Sequence, residues 1–199
     1  MPEPFPDIRT LFMKTQTIKN LMVPLSEYAT VPLDATLLDA VVALEKAQAA
    51  FDQTKYRHRA VLVLDKDNQV VGKIGQLDAL KALEPKYQEI QDPVTSGAYR
   101  HFSKMLLKSI LEQHRLFDQP LKDLRRKTAS LKVRDFMYTP TEGEYLSENA
   151  TLDEAIHMLV MGHHHSLLVT RGRRIVGILR LTDVFATVFH SLKQDAPDE

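Results

Sequence analysis

The chain repeats itself at long range. Met22 and Met137 lie 115 positions apart, each closing an apolar-containing segment (Ile18 to Met22, Val133 to Met137), and Ala35-Thr36-Leu37 returns as Ala150-Thr151-Leu152 at the same offset. Further along the offset drops to 105, where Val71-Gly72 returns as Val176-Gly177 and Asp78 as Asp183. A register kept on both sides of one change in offset puts 10 extra residues (115 − 105) in the first copy, between Leu44 and Leu62. Such a repeat constrains the fold more than any single motif, because copies of this size bury too little surface alone and must pack on one another.

Each copy carries the same succession of signals. Thr36-x-x-Asp39 and Thr151-x-x-Glu154 place a capping hydroxyl three residues before an acid, which predicts two helix starts, the second with the longer-reaching Glu. Behind them Leu37, Val41 and Leu44, or Leu152, Ile156 and Leu159, fall on one helical face. Two strands and a turn follow: Ala60 to Leu64 and Gln69 to Ile74 in copy one, Ser166 to Thr170 and Arg174 to Arg180 in copy two. A second helix is expected near Asp78 or Asp183. The unit is β-α-β-β-α, twice, giving an α+β fold of two repeats packed as a pseudo-two-fold pair.

The copies are separated by Glu84 to Ser130, too long a stretch to be a structureless loop in a compact protein. After Asp92-Pro93 and a cap at Ser96, the apolar residues Tyr99, Phe102, Leu106, Ile110 and Phe117 keep helical spacing until Asp118-Gln119-Pro120. Leu121 and Leu124 begin a further short helix. The apolar face of the insert helix is expected to cover the chain's own core. The expected division is an N-terminal extension (1–17), a first repeat (18–83), a helical insert (84–130), a second repeat (131–192) and a tail (193–199).

Composition removes several functions. Lys+Arg and Asp+Glu both number 26 in 199 residues, so the basic excess of a general nucleic-acid binder is missing. The local run Arg125, Arg126, Lys127 and Arg134 has Asp123 and Asp135 beside it. With no cysteine there are no disulfides, thiolate nucleophiles or cysteine-ligated metals. No apolar run approaches the ~18 residues of a membrane helix, and the first residues lack a signal-peptide core. A soluble, cytoplasmic protein without membrane attachment is expected.

The closing segments Val71-Gly72-Lys73-Ile74-Gly75-Gln76-Leu77-Asp78 and Val176-Gly177-Ile178-Leu179-Arg180-Leu181-Thr182-Asp183 resemble the signature that ends a CBS domain. The openings Leu21-Met22-Val23-Pro24 and Phe136-Met137-Tyr138-Thr139-Pro140 resemble its start. The resemblance implies a stand-alone tandem CBS pair, a regulatory module and not an enzyme. It would sense an adenosine-containing ligand (AMP, ADP, ATP or S-adenosylmethionine) between the copies, with no required cofactor. By resemblance the closing Asp78 and Asp183 hold ribose hydroxyls, although Asp is also a favoured helix cap. The resemblance puts a Ser or Thr three positions before each aspartate. This chain has Gly75, which offers a main-chain amide, and Arg180, which either pairs with phosphate or is a surface side chain. Thr182 precedes the second aspartate. Arg59, Ala60 and Val61, or His164, His165 and Ser166, are implied as base contacts, with Thr30, Val31, Tyr145 and Leu146 as walls. A homodimer and an unidentified protein target are the implied partners. The alternative is an interaction scaffold with degenerate, ligand-free clefts, in which the insert helix forms the interface.

The histidines suggest little beyond this. Met161-Gly162-His163-His164-His165 cannot aim three neighbouring rings at one point, and Glu154-x-x-His157 lacks the second copy that a di-iron bundle requires. No metal is expected, and no catalytic motif is present. Histidines at a cleft mouth would make ligand binding sensitive to pH near ~6.5.

Overall fold

The computed structural model describes residues 8–50, 57–84, 86–89, 103–118 and 121–194. The first half contains α1 (Ile8–Thr15), β1 (Val23–Pro24), β2 (Thr30–Pro32), α2 (Leu37–Ala50), β3 (Ala60–Leu64), β4 (Val70–Gly75) and α3 (Gln76–Leu83). The insert supplies α4 (Lys86–Glu89), α5 (Lys104–Gln113) and α6 (Leu121–Ser130). The second half has β5 (Tyr145–Ser147), α7 (Leu152–Met161), β6 (Ser166–Arg171), β7 (Arg174–Arg180) and α8 (Leu181–Gln194). Short 3-10 turns precede β1, β2 and β5 and open the second copy at Val133–Asp135.

Both expected helix caps form. Asp39 Oδ2 accepts the Thr36 amide at 2.8 Å and the Thr36 hydroxyl oxygen accepts the Asp39 amide at 3.2 Å, while Glu154 Oε2 accepts the Thr151 amide at 3.0 Å. These contacts satisfy main-chain donors that a helix start leaves open. The closing helices begin earlier than their aspartates suggested. Asp78 and Asp183 each stand third in α3 and α8, so neither is the capping residue itself.

The strands form two sheets, ordered β1-β7-β6-β5 and β2-β3-β4. β2 runs parallel to β3, and β5 to β6, while the hairpins β3–β4 and β6–β7 are antiparallel. Strand alternation sends Val61 and Val63 to one core, and Leu167 and Val169 to the other. Leu62 and Leu168 point the opposite way, into a third cluster with Val23, Tyr28 and Ile178 between the sheets.

The openings do not stay with their own copies. β1 pairs with β7, aligning Val23 with Ile178, and Tyr138 exchanges two main-chain hydrogen bonds of 2.9 Å with Lys73 of β4. The Ile18 amide donates to Ala150 O at 3.0 Å, and the Val133 amide to Ala35 O at 2.9 Å. Ile18 lies fully buried in the core of β5–β7, and Val133 in that of β2–β4. Each lobe is thus completed by the other copy's first residues, an exchange that a linear β-α-β-β-α reading does not reveal.

The repeat also begins earlier and shifts differently than expected. α1 packs on α7 as α6 packs on α2. Thr15 donates its hydroxyl hydrogen to Phe12 O, and Ser130, 115 positions on, donates to Lys127 O. The first copy's surplus divides in two. Paired residues of β3 and β6 are 106 apart (Leu62 opposite Lys73, Leu168 opposite Ile178), whereas β4 and β7 keep 105. Nine residues (115 − 106) therefore precede β3, and the last belongs to the hairpin turn. α2 uses four of the nine, at 14 residues against 10 for α7.

α5 corrects another expectation. Its cap is Ser103, whose Oγ accepts the Leu106 amide at 3.1 Å. The expected cap Ser96 and the apolar positions Tyr99 and Phe102 lie outside the described residues. Phe117 stands beyond the helix at φ 60°, with its amide on Glu84 Oε2 at 2.8 Å. α5 buries none of its residues, and Met105, Leu106, Leu107 and Leu111 are exposed. Among the described residues, then, its apolar face does not cover the core. No helix among them is long and apolar enough to cross a membrane.

Candidate functional site

The closing strands carry the site. On β7, Ile178 and Arg180 share the face toward the other sheet, while Leu179 enters its own core; on β4, Lys73 and Gly75 share the corresponding face and Ile74 is buried. The following helix starts then place Asp183 and Asp78 at equivalent positions, Asp183 near Tyr28 and Asp78 near Tyr138, and these two positions are the candidate clefts. Each is bordered by the opening segment of the opposite copy.

In the Asp183 cleft, Arg180 donates from Nε to Asp183 Oδ2 at 2.5 Å and from its terminal nitrogen to Oδ1 at 2.6 Å, with both side chains largely buried. This two-pronged geometry is the strong form of a charge-assisted pair. Tyr28 packs with Ile178 on the same face, and its ring meets His58 edge-on at 4.5 Å between centroids. Burial pushes the Tyr28 hydroxyl up to about 12, against a smaller lowering by Arg180. Burial, followed by the Arg180 charge, holds the His58 imidazole below its usual range.

In the Asp78 cleft the same framework carries different groups. Asp78 Oδ2 accepts the Gly75 amide at 2.9 Å. The position of Tyr28 is taken by Gly143, where an added Cβ would meet no atom within 4 Å. Beside it lies a buried cluster: Glu144 accepts from Lys73 Nζ, from the Tyr138 hydroxyl at 2.6 Å and from the Thr141 amide at 3.1 Å. Burial alone would raise the Glu144 carboxyl, but these hydrogen bonds hold it below the usual range. The Tyr138 hydroxyl is pushed up, chiefly by its bond to Glu144, with a smaller contribution from the Asp78 charge. The Tyr138 ring is exposed.

The other sequence-derived candidates divide by depth. Val31, Val61 and Leu146 bury their side chains in the lobe cores, so only their main chain can face a ligand. Thr30, Ala60, Ser166 and Thr182 are half-buried, and Tyr145 and His165 are exposed. Ala60 pairs across from Gly75, and Ser166 from Arg180, at the cleft end of each hairpin. The His165 carbonyl accepts the Leu181 amide at 3.0 Å. Sequence reasoning did not select Tyr28, His58, Lys73, Tyr138 or Glu144. An available signal was the pairing of equivalent positions, which sets Lys73 against Ile178 and Glu144 against Ala29. Among the described residues no group of three histidine or acidic side chains is placed to hold a metal ion.

Comparison with known proteins agrees with this architecture. Residues 18–85 and 133–190 match the CBS domain. No curated protein sequence matches the chain. A solved CBS domain of a CBS domain-containing membrane protein from Sphaerobacter thermophilus superposes with a TM-score of 0.59 at 16% identity, covering 89% of this chain and 91% of that one. The CBS domain of a bacterial CNNM/CorC family Mg2+ transporter, solved with ATP, gives 0.57 at 14% identity, over 92% and 93%. CBSX2, solved with AMP, gives 0.54 at 18% identity, over 88% and 98%. With both copies matched and their lobes interlocked by exchanged openings, the chain belongs to the CBS domain family as a tandem CBS pair.

Proposed function

We propose that this protein is a regulatory module that takes an adenosine-containing ligand between its two CBS copies and signals occupancy by association with a second subunit or a protein target. The observation that carries the reading is the state of Asp78. One of its oxygens holds the Gly75 amide, and the other has no partner among the described residues. A ribose presents two hydroxyl donors, which suit a carboxylate with an open oxygen. The exposed Tyr138 ring nearby supplies a surface on which a base can stack. The solved neighbours with AMP and ATP support the ligand class.

Association is the output because CBS pairs are regulatory modules and not, in general, enzymes. The exposed apolar residues Leu38, Val41, Leu77 and Leu80 on α2 and α3, with Phe185 and Phe189 on α8, support a homodimer through the helical faces. A second reading, a ligand-free scaffold, draws on the Asp183 cleft, where Arg180 already occupies the carboxylate.

Equilibrium dialysis with radiolabelled AMP, ADP, ATP and S-adenosylmethionine tests the proposal. Retention of at least one, weakened by about tenfold or more in Asp78→Ala, is expected. Retention of none would remove ligand sensing and leave the scaffold.

A further inference from the structure

The two clefts share a backbone frame and differ in what fills them. Where the Asp183 cleft has Tyr28 and Arg180, the equivalent positions of the Asp78 cleft are Gly143 and Gly75. Tyr28 is buried against Ile178 and His58. Arg180 uses two nitrogens to cover both oxygens of Asp183, at 2.5 and 2.6 Å. A ribose would have to displace a buried, two-pronged ion pair and leave a guanidinium without that partner, a strongly unfavourable exchange. On the other side Gly75 reaches Asp78 only through its amide, and Gly143 is exposed and contributes no side chain that could fill the place Tyr28 takes.

We infer that each chain takes one ligand, in the Asp78 cleft, and that the Asp183 cleft is closed by the protein's own Tyr28 and Arg180 acting as a permanent occupant. This rests on the adenosine-sensing reading and adds the choice of cleft and the stoichiometry. The closed cleft serves as a strut between β7 and the opening segment of the first copy. Ligand occupancy then acts on one side of the pair alone, the side of Asp78 and the opening of the second copy, which makes the response of the pair one-sided.

Isothermal titration of the whole chain with AMP, ADP, ATP and S-adenosylmethionine decides it, with thermal unfolding confirming that each variant is folded. The expected result is one site per chain for the ligand that binds. Affinity in Asp183→Asn stays within about twofold, whereas Gly143→Tyr, which gives the open cleft its counterpart's filler, loses about tenfold or more. Two sites per chain would overturn the inference while leaving the ligand reading intact. So would loss of binding in folded Asp183→Asn, or undiminished binding in folded Gly143→Tyr. No heat and no stabilisation with any of the four would overturn the ligand reading and this inference together.

Discussion

Lys73 and Glu144 show how one residue pair separates two otherwise matching halves. Their equivalents are Ile178 and Ala29, both buried in apolar clusters. Glu144 is 1% exposed and Lys73 16%, so removing the lysine alone leaves a buried carboxylate without its cation. Lys73→Ile is expected to cost about 3 kcal/mol in urea unfolding, and adding Glu144→Ala to recover most of it, because a buried pair replaced by apolar groups is often neutral. A double variant no more stable than the single one would show that the cluster stabilises the fold by more than mutual neutralisation. His58 gives a pH signature. Its folded-state pKa lies below the ordinary value near 6.5, so the unfolded chain takes up the proton more readily. The stability it contributes is present above that value and falls as pH drops through it. Melting curves from pH 7.5 to 5.5 should decline less steeply in His58→Phe than in the native chain, and parallel curves would remove His58 from the account.

At the level of elements, Gly72 and Gly177 mark where the exchanged openings cross. A Cβ at Gly177 would stand 2.6 Å from Val23 O and 2.9 Å from Met22 Sδ, whereas one at Gly72 would meet Met137 Sδ at 2.5 Å and Tyr138 O at 3.2 Å. A thioether end can swing aside, but a paired main-chain carbonyl cannot move without the strand. Gly177→Ala should therefore cost about 1–3 kcal/mol and more than Gly72→Ala; equal costs would argue against the crossing at β1. The glycines were legible in the sequence as part of the repeat, though not their reason, since the atoms they make room for belong to the other copy. The capped helices and both hairpins were legible because their determinants are local. The equivalence of α1 and α6 was not, because Phe12 and Met13 correspond to Lys127 and Thr128; packing on α7 and α2 and the matching hydroxyl bonds of Thr15 and Ser130 relate them. The opening strand of each β-α-β-β-α unit was expected without a range, and β2 and β5 supply it at three residues each, too short to delimit in the sequence and held by parallel pairing to distant partners.

Across the whole molecule, the exchange makes the two copies one unit. Each core needs the other's first buried residue, Ile18 or Val133, and the sheets meet through Val23, Tyr28, Leu62, Leu168 and Ile178. Under the proposed function, a ligand between the copies would act on that joint and stabilise the whole chain by mass action. The resemblance singled out the two aspartates as candidates, and the structure places each third in the helix that follows a closing strand. Arg180 was legible as a departure at the phosphate position, but it is neither a surface side chain nor open to phosphate, being buried and paired with Asp183 three residues on; Tyr28 was not legible, because it meets Ile178 only when β1 joins β7. The most direct test is thermal unfolding of the chain with AMP, ADP, ATP and S-adenosylmethionine in turn. A ligand at ~100 times its dissociation constant should stabilise the native state by ~2.7 kcal/mol, a rise of several degrees that Asp78→Ala abolishes and Asp183→Asn keeps. Unchanged melting with all four, at concentrations up to the millimolar range, would contradict the account of this CBS pair as a nucleotide sensor.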